Sequence, residues 1–281
     1  MSDPVTGSFI IFWRIKMKIS YSYSKWEKEK KNYSKIKSIE LTNKNISAHL
    51  FSYTHPDEFA SNSKFARPIR DKMTLYSCLG DDHYSLAESY YFLDNNKMYT
   101  ESLYKYLVYK SEAYNNFNNK AEHVMVCYEL QTGKGFNRLM CTAIVLNEYE
   151  RIEKYERFSP IISALYRQDY ENADLLISKL PDNIDDSKEI YYLNNRYLKK
   201  IFLSILKADE KAFDQAINER IKKLRKSPSG YLTVFDMITA AMIKLANMQG
   251  IKYNMNLIEI PFFLLEDSSV LDKENVEFDL Y

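Results

Sequence analysis

Apolar positions recur at three- and four-residue spacing over most of the chain, and from residue 67 onward the recurrence predicts a succession of helices. Ile69, Met73, Leu75, Tyr76 and Leu79 mark one helix, with Pro68 in its first turn. Gly80-Asp81-Asp82 then stops that helix and caps the next, whose face is Tyr84, Leu86, Ala87, Tyr90 and Tyr91. After the break at Asp94-Asn95-Asn96, an amphipathic segment runs from Tyr99 to Phe117. Residues 122–130 fit helix or strand, and 131–135 read as a loop. Asn137–Tyr155 reads as one helix with Leu139, Met140, Ile144, Val145, Tyr149 and Ile152 on a face, and Pro160 opens the next segment. Further helices are expected over Ile190–Ile205, Asp209–Lys226 and Leu232–Asn247, with breaks at Pro228-Ser229-Gly230 and Gly250. The apolar plug 258–265 contains Pro261, which suits the opening of a short final helix.

Two turns share one pattern. Ala164-Leu165-Tyr166-Arg167-Gln168-Asp169 ends a helix and starts another, and Ser204-Ile205-Leu206-Lys207-Ala208-Asp209 does the same. In each, the Asp stands where its carboxylate can cap the exposed N–H groups of the new helix. Cys78-Leu79-Gly80-Asp81-Asp82 reads as a weaker third copy. Helical hairpins of this kind bury a continuous core when they stack. The copies are irregularly spaced, so the expected fold is all-α: stacked antiparallel hairpins in an irregular, solenoid-like bundle over residues 67–265.

The flanks differ in character. Residues 17–66 are polar, with weak strand patterns near Ile36–Leu41 and His49–Tyr53 that suggest a short strand pair. Met17 opens a plausible start, which makes 1–16 an upstream extension or expression scar. Phe9–Trp13 is too short to span a bilayer, and it has neither the basic lead nor the small-residue cleavage site of a signal peptide. Residues 1–66 carry 11 Lys/Arg against 6 Asp/Glu, and 258–281 carry 7 acidic residues and 1 Lys, so 266–281 reads as an acidic tail.

Composition narrows the class further. Only 6 Gly and 7 Pro in 281 residues argue against many-stranded folds, while 24 Tyr and 15 Phe supply ample surface to bury. A net charge of +1 disfavours a dedicated nucleic-acid binder. Cys78, Cys127 and Cys141 form no CxxC pair, and His49, His55, His83 and His123 form no metal-ligand spacing, so neither a metal, a cofactor nor a disulfide framework is expected. His123 and Cys127, at helical i,i+4 spacing, read as coincidence rather than an activated thiol. Gly133-Lys134-Gly135 lacks the rest of a phosphate-binding loop. With no catalytic residues to nominate, an enzyme is the weakest reading. The aromatics carry more interest: Tyr84, Tyr90, Tyr91, Tyr99, Tyr104, Tyr106, Tyr109 and Tyr114 cluster within one stretch, and tyrosine suits both cores and protein interfaces.

The segment Leu198–Arg225, with Ile205–Phe213, Arg220 and Lys222, followed by Phe235–Ala246, Gly250 and Ile260-Pro261, resembles the immunity protein 49 family of bacterial polymorphic toxin systems. Its pattern is a helix ending in Leu-x-x-Gly-Asp, a helix with basic residues, a small-residue helix, a Gly and an Ile-Pro ending. Ala208 stands where Gly is commoner. The resemblance covers residues 160–265 and brings no catalytic residues with it. It implies a cytoplasmic protein that binds and neutralises a cognate toxin domain by occlusion, with no nucleic-acid, membrane or cofactor partner. The alternative is a helical-repeat adaptor or effector chaperone that holds a protein without inhibiting it. For either, the expected contact residues are the acidic turns and exposed tyrosines: Asp81, Asp82, Asp169, Glu171, Asp182, Asp185, Asp186, Tyr90 and Tyr91.

Overall fold

A computed structural model describes residues 39–62, 67–115, 134–151, 153, 159–180, 193–226, 235–253, 257, 259–266 and 271–280. Among them the regular structure is entirely helical: α1 (Ile39–Thr54), α2 (Pro56–Asn62), α3 (Lys72–Phe92), α4 (Asn96–Asn115), α5 (Lys134–Val145), α6 (Pro160–Tyr166), α7 (Tyr170–Ser178), α8 (Leu193–Leu206), α9 (Glu210–Lys226), α10 (Met237–Met248) and α11 (Phe263–Glu266). Short 3-10 turns lie at 149–151, between α5 and α6, and at Lys273–Asn275, after α11. The all-α expectation therefore holds.

Among the described residues the expected strands do not form; 36–38 lie outside those residues. Within the described residues, 39–41 and 49–53 belong to α1, which turns Ile46 and Ser52 onto α3. Ile46 packs there with Ile69, Leu75, Leu79 and Leu86, and the Ser52 hydroxyl accepts the Ile69 N–H at 2.9 Å. Burial against α3 outweighs a weak local preference for extended chain. The helical body thus reaches back to residue 39.

The break expected at Gly80-Asp81-Asp82 is also absent. α3 runs through it unbroken for 21 residues, from an N-cap at Asp71, whose carboxylate accepts the Thr74 N–H at 2.7 Å. Pro68 lies before the helix rather than in its first turn. Gly80 is there for space. A Cβ at this position would lie 2.8 Å from Lys110 Cγ, so the missing side chain lets the buried Lys110 stem cross α3. Lys110 Nζ then emerges to bond Ser77 Oγ at 3.0 Å and Asp81 at 2.9 Å.

Five helix ends use the same turn. Asp94, Asn147, Gln168, Ala208 and Gly250 each take positive φ, with φ values of 55°, 57°, 58°, 48° and 85°. At each, the residue's own N–H and that of the next residue fold back onto carbonyls of the preceding turn, as with Ala208 N to Ile205 O and Asp209 N to Ser204 O. At three of them the following residue caps the next helix: Asn95 for α4, Asp169 for α7 and Asp209 for the helix after it, α9. This produces the hairpins α3/α4, α6/α7 and α8/α9. The helix expected over 137–155 ends early for the same reason, at Val145, because Asn147 turns the chain. At its other end α5 begins at Lys134, inside the expected 131–135 loop. The helix expected from Leu232 begins at Met237, and 231–234 lie outside the described residues.

Packing passes from neighbour to neighbour: α1 on α3, α3 on α4, α4 on α5, α5 on α10, α10 on α8 and α11, α8 on α9 and α7, and α7 on α6. The hub is α10, buried nearly all round, whose Ala240, Ala241 and Ala246 allow close approach of its neighbours. Most of the tyrosine cluster is core. Tyr84, Tyr99, Tyr104, Tyr106, Tyr109 and Tyr114 are buried, and Tyr99 meets Phe235 edge-on at 5.0 Å. Rings on α4 find apolar neighbours on several sides, so their area is spent internally.

Candidate protein-binding surface

The nominated residues divide by what they touch. Asp81 forms an ion pair with Lys110, and Asp82 accepts from His49 Nδ1 at 2.8 Å. Tyr91 is half-buried and contributes its ring to the core, 5.2 Å from Tyr99 and 5.6 Å from Phe235. Burial, and then Glu259 and Asp94, push its phenol far above the ordinary tyrosine range, so it stays protonated. Tyr90 is half-buried on the same helix. Asp169 and Glu171 stand exposed at the start of α7, and Asp182, Asp185 and Asp186 lie outside the described residues. Asp81 and Asp82 are therefore engaged on α3, while Asp169 and Glu171 face solvent on a different hairpin.

The surface of α7 gathers more than its two nominated acids. Asp174 and Leu175 are exposed beside Glu171, and Leu175 is the more unusual, an apolar side chain 55% exposed. Glu171 and Leu175 are four residues apart and share a helix face. Ala173 and Ile177 fix the opposite face in the core, and the Asp169 cap fixes the start of the helix. Next to this hairpin, α8 and α9 enclose a shallow furrow of about 300 Å³, crossed by the Lys200–Glu219 ion pair at 2.7 Å. Its walls mix Lys207 with Asp209, so it has no single charge preference.

The chain matches no family model, no curated protein and no solved structure.

Among the described residues, the two cysteines and the half-buried Lys244 are muted or engaged. Burial raises the thiol of Cys141 far above its ordinary range, and burial followed by Asp81 and Asp82 raises that of Cys78. Both favour the unreactive thiol. Burial pulls the Lys244 amine down to about 8. Its Nζ is held between the Val145 carbonyl at 2.8 Å and Asn147 Oδ1 at 2.6 Å, which makes it a cap for α5. Among the described residues no group of three or more His, Cys, Asp or Glu is placed to hold a metal ion, and no helix is long and apolar enough to cross a membrane.

Two polar assemblies were not visible in the sequence. In one, the buried Asp236 accepts the Ile238 and Thr239 N–H groups and the Thr239 hydroxyl, and pairs with Arg220 at 3.2 Å, while its own N–H bonds the Glu259 carbonyl at 2.7 Å. α9, α10 and Glu259 are joined there. The Asp-x-x-Thr spacing at the start of α10 is a capping signature that would have located the helix start.

In the other, the acidic tail is a docked strap. Residues 271–280 run from Lys273, paired to Glu148 just beyond α5, to Asp279, seated on α3 and α4. Asp279 Oδ2 accepts from His83 Nε2 at 2.7 Å and from the Tyr109 hydroxyl at 2.9 Å, and the Asp279 N–H donates back to that hydroxyl at 2.8 Å. Lys105 Nζ lies 4.0 Å from Oδ1. Burial alone would raise this carboxyl. The His83 hydrogen bond and charge, then Lys105 and Tyr109, prevail and hold it at about 2.

Proposed function

We propose that the chain is an immunity protein that acts in the cytoplasm, where it binds a cognate toxin domain and blocks it by occlusion, without catalysing a reaction itself. The resemblance over residues 160–265 motivates this reading. The observation that carries it is the exposed face of α7. Leu175 stands there among Glu171 and Asp174, on a helix locked by the Asp169 cap and the Gln168 turn. An apolar anchor with an acidic rim on a preordered helix is the kind of surface that binds a basic-rimmed protein cleft at little ordering cost. The neutral net charge leaves steering to such local patches.

The test is co-expression with the product of the adjacent gene. A 1:1 complex that abolishes its toxicity is expected. Leu175→Asp should weaken that complex roughly tenfold or more while leaving the thermal melt unchanged. A complex in which the partner stays fully active would favour the adaptor or chaperone reading, and failure of that product to bind would remove the immunity reading.

A further inference from the structure

The strap is seated on α3 and α4, which pack directly on each other. His83 and Tyr109 stack at 5.6 Å, and Tyr76 lies against Tyr109 at 5.8 Å. His83 is 3% exposed, and its Nδ1 meets no hydrogen-bond partner among the described residues. What the buried ring supplies is Nε2, aimed outward at a carboxylate. Tyr109 offers a hydroxyl to the same oxygen, and Lys105 adds positive charge beside it. On one side of this cradle Tyr104 and Tyr109 hold Phe278, with ring centroids 6.2 and 5.8 Å away. On the other side Leu280 joins the apolar cluster around Ile46, Leu79 and Tyr109.

The seat thus reads three consecutive side chains: aromatic, carboxylate, aliphatic. It reads them largely through side chains, and much of the strap faces solvent: 272–275 and 277 are exposed, 278–280 are half-buried, and Val276 is the strap residue buried against the main core. A segment with so little buried area belongs to the parts of a fold that open locally at low cost. We propose that the α3–α4 cleft is a binding site for an extended acidic peptide of Phe-Asp-Leu type, and that residues 271–280 occupy it as a displaceable internal competitor. The partner is a protein segment carrying that sequence chemistry. Because the strap is tethered, it competes at high effective concentration, and a partner segment gains access when the strap is loosened. This inference is independent of the toxin-binding reading, since its probe is a synthetic peptide.

The test uses the full chain and a fluorescent peptide with the sequence of residues 271–281. A chain carrying Phe278→Ala and Asp279→Ala is expected to bind the peptide roughly tenfold more tightly than the wild-type chain does, because its own strap is weakened. A peptide carrying Asp279→Ala should bind that variant roughly tenfold more weakly than the wild-type peptide. A folded variant that takes up no peptide, or takes up both peptides equally, overturns the proposal. Should the variant not fold, the wild-type chain serves. Excess peptide is then expected to speed hydrogen exchange in 271–280, with Lys105→Ala removing the effect, and no change in exchange overturns the proposal. A wild-type dimer that the peptide dissociates would make a second copy the occupant and would also overturn it.

Discussion

Ala208 holds φ at 48°, a left-handed conformation in which a Cβ crowds the following carbonyl. Ala208→Gly should stabilise the fold by about 1 kcal/mol, read as a higher urea midpoint at unchanged slope. Gly80 is the converse case. Its backbone is ordinary helix, but Gly80→Ala drives a methyl into the Lys110 stem and should cost about 1–3 kcal/mol in the same measurement. The two positions also mark what a sequence can and cannot disclose. The turns at Gln168-Asp169 and Ala208-Asp209 are legible because the cap and the helix it starts are neighbours in the chain. Gly80-Asp81-Asp82 has the same local vocabulary, but its meaning is set by Lys110, thirty positions on, so the local reading makes it a stop.

At the scale of elements, the joint between α9 and α10 is the most exposed to damage. Asp236→Ala removes a cap and takes a carboxylate partner from the Arg220 guanidinium, 3% exposed. A loss of about 3–5 kcal/mol is expected in urea unfolding, part of it recovered when Arg220→Met is added, because the buried charge that Asp236 balances is then gone as well. Much of the helix order was readable from apolar spacing, because helices such as α7 and α9 have one face to bury, and α10, buried nearly all round, still stands out as an apolar run. The short strands expected near the start were misread because five-residue apolar runs fit either period, and contact with α3 decides between them. The α7 face proposed for toxin binding was partly visible as the acidic turn Asp169–Glu171. Leu175 was not, since a single exposed leucine looks like part of the buried face until the helix is rotated into place.

For the whole molecule, the strap makes stability depend on acidity. Asp279 titrates near 2 when docked, against about 3.9 for an unfolded aspartate. A lowered carboxyl pKa stabilises the fold above the unfolded value and ceases to do so as pH falls through the folded one. The wild-type advantage over Asp279→Asn, about 2 kcal/mol near neutrality, should therefore shrink between about pH 4 and about pH 2, which urea unfolding at fixed pH steps would measure. His83 on α3 and Tyr109 and Lys105 on α4 are the groups facing it. None of this could be read from the acidic tail alone, because its partners lie 170 and 196 positions upstream.

That separation has a consequence for biosynthesis. His83 precedes Asp279 by 196 positions, so the cradle cannot receive its own strap until all of those residues have been made. An acidic, aromatic segment nearby has that interval in which to compete for the seat, and the arrival of 278–280 closes it.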